Sequence, residues 1–218
     1  MIRHLIPALA FAALSLTVTG QALAEEELIG TPLNDGQVAA GHGEHDHGGH
    51  DHGGWSNFKD GTDHIAVGLA AGNIPLSADG DGEETLLFNL EYRFGHRYLN
   101  YTDNDGFDFG IAPFVGGYVG VDGSAYGYAG FGFEFLINDH FVIMPNTAVG
   151  LYTDGGDGRD LGHVLEFRSG IELGYRWDNE VQLGLALHHL SNASIGDSNP
   201  GTEHLTVFLN IPLNGELF

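Results

Sequence analysis

The sequence predicts an all-β protein: an eight-stranded antiparallel transmembrane β-barrel of the outer-membrane type. Three observations carry that expectation. Glycine is abundant, 35 residues, and past residue 62 it sits among alternating aromatic and aliphatic side chains. Segments of about 10–15 residues with a period of two recur between clusters of turn residues, the spacing of barrel strands. The N-terminus carries an export pattern, while no later window holds the 18 or so apolar residues that a spanning helix needs.

In chain order, Arg3 and His4 precede an apolar run from Leu5 to Val18, and Ala22-Leu23-Ala24 has the small-x-small pattern of a cleavage site. Residues 1–24 are therefore read as a signal peptide. Residues 25–61 form an acidic, His/Gly-rich segment, expected to be disordered and periplasmic because it cannot bury enough apolar surface to order itself. Its tract GHGEHDHGGHDHGG interleaves His42, His45, His47, His50 and His52 with Glu44, Asp46 and Asp51. Imidazole beside carboxylate suits zinc, nickel or copper with little selectivity, so weak, exchangeable binding of a divalent metal is one reading and a solvated linker the other. A catalytic metal is not expected there, since nothing fixes the ligand geometry.

Residues 62–218 supply the barrel. Its strands are expected near 64–74, 84–94, 107–121, 126–137, 141–152, 163–177, 181–190 and 203–213, with GHRYLNYTDNDG as a polar connection between the second and third. An even strand number puts both chain ends on one side, so the loops after strands one, three, five and seven face outward, Ser191–Thr202 among them. The terminal Phe218 also fits an outer-membrane barrel.

Alternation assigns faces. In the sixth strand His163, Leu165, Phe167, Ser169, Ile171, Leu173, Tyr175 and Trp177 share one face, while Glu166, Arg168, Glu172 and Arg176 share the other. Charge facing lipid is costly, so the second set lines the lumen, where opposite signs can pair. Likewise Asn89, Glu91, Arg93 and Glu134 point inward, and a barrel this narrow is plugged rather than open.

Composition excludes several functions. The formal net charge is −23 with seven Lys and Arg, which opposes binding to nucleic acid phosphates or to anionic headgroups in general. Collagen-like periodicity is absent, and without cysteines there is no disulfide framework. No cofactor is implied.

The last hairpin, VQLGLALHHLSNASIGDSNPGTEHLTVFLNIPL, carries the chemistry. Alternation puts His189 and Ser191 on the face of Leu183, Leu185 and Leu187. It puts Glu203 on the face of Leu205, Val207 and Leu209. A serine needs a neighbouring base to become a nucleophile, and the base needs a third group to hold its tautomer. Residues two apart on a strand lie about 6.5–7 Å apart on one side. Asn192, Asn199 and Gly201 offer donors for an oxyanion. From spacing alone, a hydrogen-bonded rim cluster on a non-catalytic barrel, structural or adhesive, stands beside the catalytic reading. His188 and His204 have lumen parity and receive no catalytic role. For His64, His96, His140 and His163, interfacial hydrogen bonding is expected.

HLSNASIGDSNPGTE resembles the motif of the outer-membrane lipid A 3-O-deacylases, in which His-x-Ser-Asn is followed by a glutamate twelve residues after the serine. The resemblance implies an eight-stranded barrel and a serine esterase. Its roles would be His189 as general base, Ser191 as nucleophile and Glu203 as orienting acid. The Asn192 N–H and Asn199 would hold the oxyanion. It further implies lipid A, the lipopolysaccharide anchor, as substrate in the outer leaflet of a bacterial outer membrane, with release of a 3-hydroxy fatty acid and no metal. The histidine tract has no place in that pattern. A homodimer is left open.

Overall fold

The computed structural model describes residues 53–74 and 84–213. The expected signal peptide, the histidine tract at 42–52 and Phe218 lie outside the described residues.

Ten strands are present: β1 (Gly54–Lys59), β2 (His64–Gly72), β3 (Thr85–Arg93), β4 (Arg97–Thr102), β5 (Asp108–Gly120), β6 (Ala125–Ile137), β7 (Phe141–Thr153), β8 (Leu165–Arg176), β9 (Gln182–Ser191) and β10 (Thr202–Pro212). Eight of them close a ring in the order β2, β3, β5, β6, β7, β8, β9, β10 and back to β2, every pair antiparallel. Closure leaves these strands no open edge, the condition for crossing lipid with strands. The expected barrel is therefore the observed one.

Two strands were not expected. β1 falls within the segment read as disordered through residue 61, and β4 within the stretch read as a polar connection. β4 continues β3 along β5, and β1 continues β2 along β4 (Trp55 opposite Tyr101, Lys59 opposite Arg97), so the wall of the barrel is prolonged at one end. The reason is aromatic packing. Trp55 lies 5.1 Å from Tyr101 and 6.3 Å from Phe109, and Phe58 lies 5.8 Å from Tyr98. A register shift between Tyr98 and Tyr101, with Leu99 at φ 49°, turns both tyrosines to the same outer face and breaks the period of two. Tyr175, Trp177 and Phe141 continue this aromatic belt on the far side of the ring. Such a belt marks a membrane interface.

The outer face is apolar and the lumen polar. Val67, Leu69, Phe88, Leu90, Val119, Leu173, Leu185 and Val207 are all about half exposed. Glu91, Glu166, Arg168, Glu172, Gln182 and Asn210 are almost wholly buried. The expected pairing of opposite charges is realised across the lumen. Arg93 meets Glu91 and Glu172, each at 2.9 Å, and Arg168 reaches Glu91 at 3.3 Å while its guanidinium lies over the rings of Tyr128 (4.1 Å) and Phe114 (4.9 Å). Small residues opposite large ones let this plug close. A Cβ on Gly170 would stand 2.3 Å from the buried His188 ring, so only glycine fits there.

At the prolonged end a cavity of about 300 Å³ opens among Arg93, Arg97, Arg176, Asp108 and Glu134. Lys59 and Arg97 both bridge to Asp108 (2.6 and 2.5 Å) and Arg176 bridges to Glu134 (2.6 Å), so its cations are already paired.

Asp63, in the segment that precedes β2, ties that segment to the end of β3: it accepts hydrogen bonds from the Tyr92 hydroxyl and, at 2.6 Å, from the Gly95 N–H. The Tyr92 bond above all, then that of Gly95, holds its carboxyl below the usual carboxylate range. A folded-state value below the unfolded one contributes stability that is present above the unfolded value and is lost as pH falls through the folded value. Acidifying through the folded value of Asp63, below the usual aspartate range, is therefore expected to lower the protection of the Gly95 amide, its exchange being referred to the intrinsic rate at each pH. In Asp63→Asn that pH step should be missing. An equal step in the variant would remove Asp63 as its cause.

Candidate active site

β9 and β10 pair in unbroken register, Leu190 opposite Thr202 and His189 opposite Glu203, and β8 and β9 pair regularly as far as Phe167 opposite Ser191. No bulge intervenes, so alternation holds to the strand end and His189, Ser191 and Glu203 share the outer face. His189 Nδ1 lies 3.2 Å from Glu203 Oε1. A carboxylate only accepts, so Nδ1 donates in this contact, and in the neutral ring that tautomer puts the lone pair on Nε2. His189 is exposed, while Ser191 and Glu203 are half-buried. The Ser191 hydroxyl makes no hydrogen bond among the described residues.

The two asparagines are bonded to one another. Asn192 N–H donates to Asn199 Oδ1 at 3.0 Å, and Asn199 Nδ2 lies 3.5 Å from Ser194 Oγ. The Asn192 side chain has a task that the sequence did not reveal. Fully buried, it donates to the carbonyls of Leu161 (2.9 Å) and Ser198 (2.7 Å) and accepts from the Ser194 N–H (2.9 Å). It thus staples the loop after β9 to the neighbouring loop after β7. Asn73, at the end of β2, was also unforeseen: its Oδ1 accepts from Thr202 Oγ1 at 2.7 Å, and the Ile74 N–H donates to the Glu203 carbonyl at 3.2 Å. Those two bonds hold the start of β10, and so Glu203, against β2. No signal in the sequence links positions so far apart.

Gly201 closes the site from the loop side. Its φ is +62°, and a Cβ there would stand 3.0 Å from His189 Cε1 and 3.2 Å from the Leu190 carbonyl. Any larger residue is strained in this left-handed backbone and presses on the imidazole. Gly201→Val is expected to displace the imidazole from Glu203 with the barrel intact. NMR shifts of the His189 ring read this; unchanged shifts in the variant would show that the ring is not held from this side.

The other histidines follow expectation except His64, which lines the cavity at the prolonged end with its Nε2 buried and unpartnered among the described residues. His188 is buried against Tyr118 (3.0 Å from Nδ1 to the hydroxyl), and His204 stacks edge-on against the same tyrosine. His96 pairs with Asp60, and His140 with the Arg176 carbonyl. Among the described residues no three His, Asp or Glu side chains are grouped to hold a metal.

Fold and site together define a class: an outer-membrane β-barrel with a histidine, a carboxylate and a serine hydroxyl gathered on its lipid-facing wall. The family model of the lipid A 3-O-deacylase PagL matches residues 88–212, more than half of the chain, and the chain belongs to that family. Its place is accordingly the bacterial outer membrane. Among solved structures it is similar to the outer-membrane enzyme PagL, with 18% identity and a TM-score of 0.55 over 69% of this chain and 99% of that one. It also matches Ail of Yersinia pestis in a phospholipid nanodisc, with 17% identity and a TM-score of 0.39 over 70% of this chain and 100% of that one. No curated protein matches.

Proposed function

We propose that this protein is a serine esterase that hydrolyses the 3-O-linked acyl chain of lipid A and releases a 3-hydroxy fatty acid. The observation that carries the proposal is the His189–Glu203 contact on the lipid-facing wall, with Ser191 two residues further along the same face. Polar groups aimed at hydrocarbon are costly, and an insoluble ester that slides sideways through the outer leaflet gives them a use.

His189 Nε2 takes the Ser191 proton as Oγ bonds to the ester carbonyl carbon, and Glu203 stabilises the imidazolium that forms. The oxyanion replaces the Asn199 carbonyl at the Asn192 N–H, which frees the Asn199 amide to turn its Nδ2 toward the same charge. Collapse breaks the bond to the sugar oxygen, which receives the proton from His189. Water then attacks the acyl-serine with His189 as base, and the fatty acid leaves. The histidines at 42–52 and a second copy of the chain have no part in these steps.

Purified protein in detergent, given lipid A, should remove one 3-hydroxyacyl mass and liberate the matching fatty acid. Loss of an acyl chain from another position, or of none, would refute the proposal.

A further inference from the structure

The outward-facing side chains of β5 to β10 are aliphatic, aromatic, proline or glycine almost throughout. Apart from Thr153 at a strand end and the tyrosine of the aromatic belt, the exceptions form two adjoining cross-strand rows. Strand register builds the longer row one neighbour at a time: Thr147 on β7 opposite Ser169 on β8, Ser169 opposite His189 on β9, and His189 opposite Glu203 on β10. The row beneath it is Pro145, Ile171, Leu187 and Leu205. The row above places Val149 opposite Phe167 and Phe167 opposite Ser191. A polar track thus leads sideways from the histidine between two mainly apolar rows.

Its two hydroxyls differ. Thr147 Oγ1 is spent on the Arg168 carbonyl at 3.2 Å. Ser169 is exposed, makes no hydrogen bond among the described residues, and stands one strand, about 4.8 Å, from His189 on the side away from Glu203. An unsatisfied hydroxyl beside hydrocarbon is unfavourable unless a ligand group meets it.

Resting on the esterase reading, we propose that Ser169 is a specificity-determining residue that hydrogen-bonds the hydroxyl on the third carbon of the acyl chain being removed. With the ester carbonyl over Ser191, that hydroxyl lies two carbons down the chain. The chain itself runs toward Ile171 and Leu187, past the Ser169 side chain. A plain acyl chain offers Ser169 nothing and leaves its hydroxyl unpaired.

The test compares two synthetic glucosamine esters, one 3-hydroxyacylated and one acylated with the unsubstituted chain of equal length. Wild-type protein should favour the hydroxylated ester in kcat/KM, and in Ser169→Ala this ratio should fall about three- to tenfold. Ser169→Thr, which keeps the hydroxyl, should retain the preference. A ratio unchanged in Ser169→Ala overturns the proposal, whatever happens to the absolute rates. Binding of both esters to Ser191→Ala protein, with and without Ser169→Ala, reads the same preference without turnover. If wild type hydrolyses neither ester the esterase reading falls, and equal binding of the two then removes the role of Ser169 as well.

Discussion

Ser191→Ala is expected to abolish deacylation of lipid A, with a fall of about a thousandfold or more in kcat, while the barrel folds as before. The size of the effect follows from the chemistry: without Oγ there is no covalent step, and what remains comes from positioning and the oxyanion donors. The harmlessness to the fold follows from the structure. Ser191 is half-buried at the end of β9 and its hydroxyl holds nothing among the described residues, so stability should change by about 0.5 kcal/mol or less. His189→Ala should lose nearly as much activity, and the double variant little more than either, because the groups act as one unit. Mass spectrometry of lipid A from cells expressing each variant, with heat-modifiable migration as the check on folding, reads both effects. Persistence of the deacylated product in Ser191→Ala would exclude the serine as nucleophile.

Arg168→Met is expected to destabilise the barrel by about 3–5 kcal/mol, the largest effect on stability of any single change considered. Arg168 has no exposed surface. Its guanidinium donates to Glu91 (3.3 and 3.4 Å) and to Asn146 (3.3 Å), between the rings of Phe114 and Tyr128. Removing it leaves Glu91 and Glu172 with Arg93 as the cation they share. Adding Glu91→Gln should recover part of the loss, since the uncompensated buried charge then disappears. Urea unfolding in lipid vesicles, followed by tryptophan fluorescence, measures both. A loss under about 1 kcal/mol would mean that the plug relaxes around the missing cation.

Most of the barrel was legible because a period of two is a local property. Leu86, Phe88 and Leu90 announce a strand and its outer face without reference to any other segment, and Glu91 and Arg93 announce the lumen. The strands β1 and β4 were not legible. Their tyrosines sit three apart around the strained Leu99, and GWSNFK and RYLNYT become strands only by stacking Trp55 and Phe58 on Tyr101 and Tyr98. The co-facing of His189, Ser191 and Glu203 was readable because all three lie in one hairpin. Asn192 was readable only in part: its N–H and two of its side-chain partners, Ser194 and Ser198, belong to the local loop, but the third, Leu161, comes from another loop.

The sequence by itself determined a closed, polar-cored barrel and the hairpin that carries the candidate triad, because alternation and short-range spacing suffice for both. Only the tertiary structure decided which charges pair across the lumen, how Asn73 anchors β10, and that Thr147 and Ser169 extend the polar row from His189. Each of these depends on the register between strands distant in sequence. Register is set by the closure of the whole ring, and no single segment contains it.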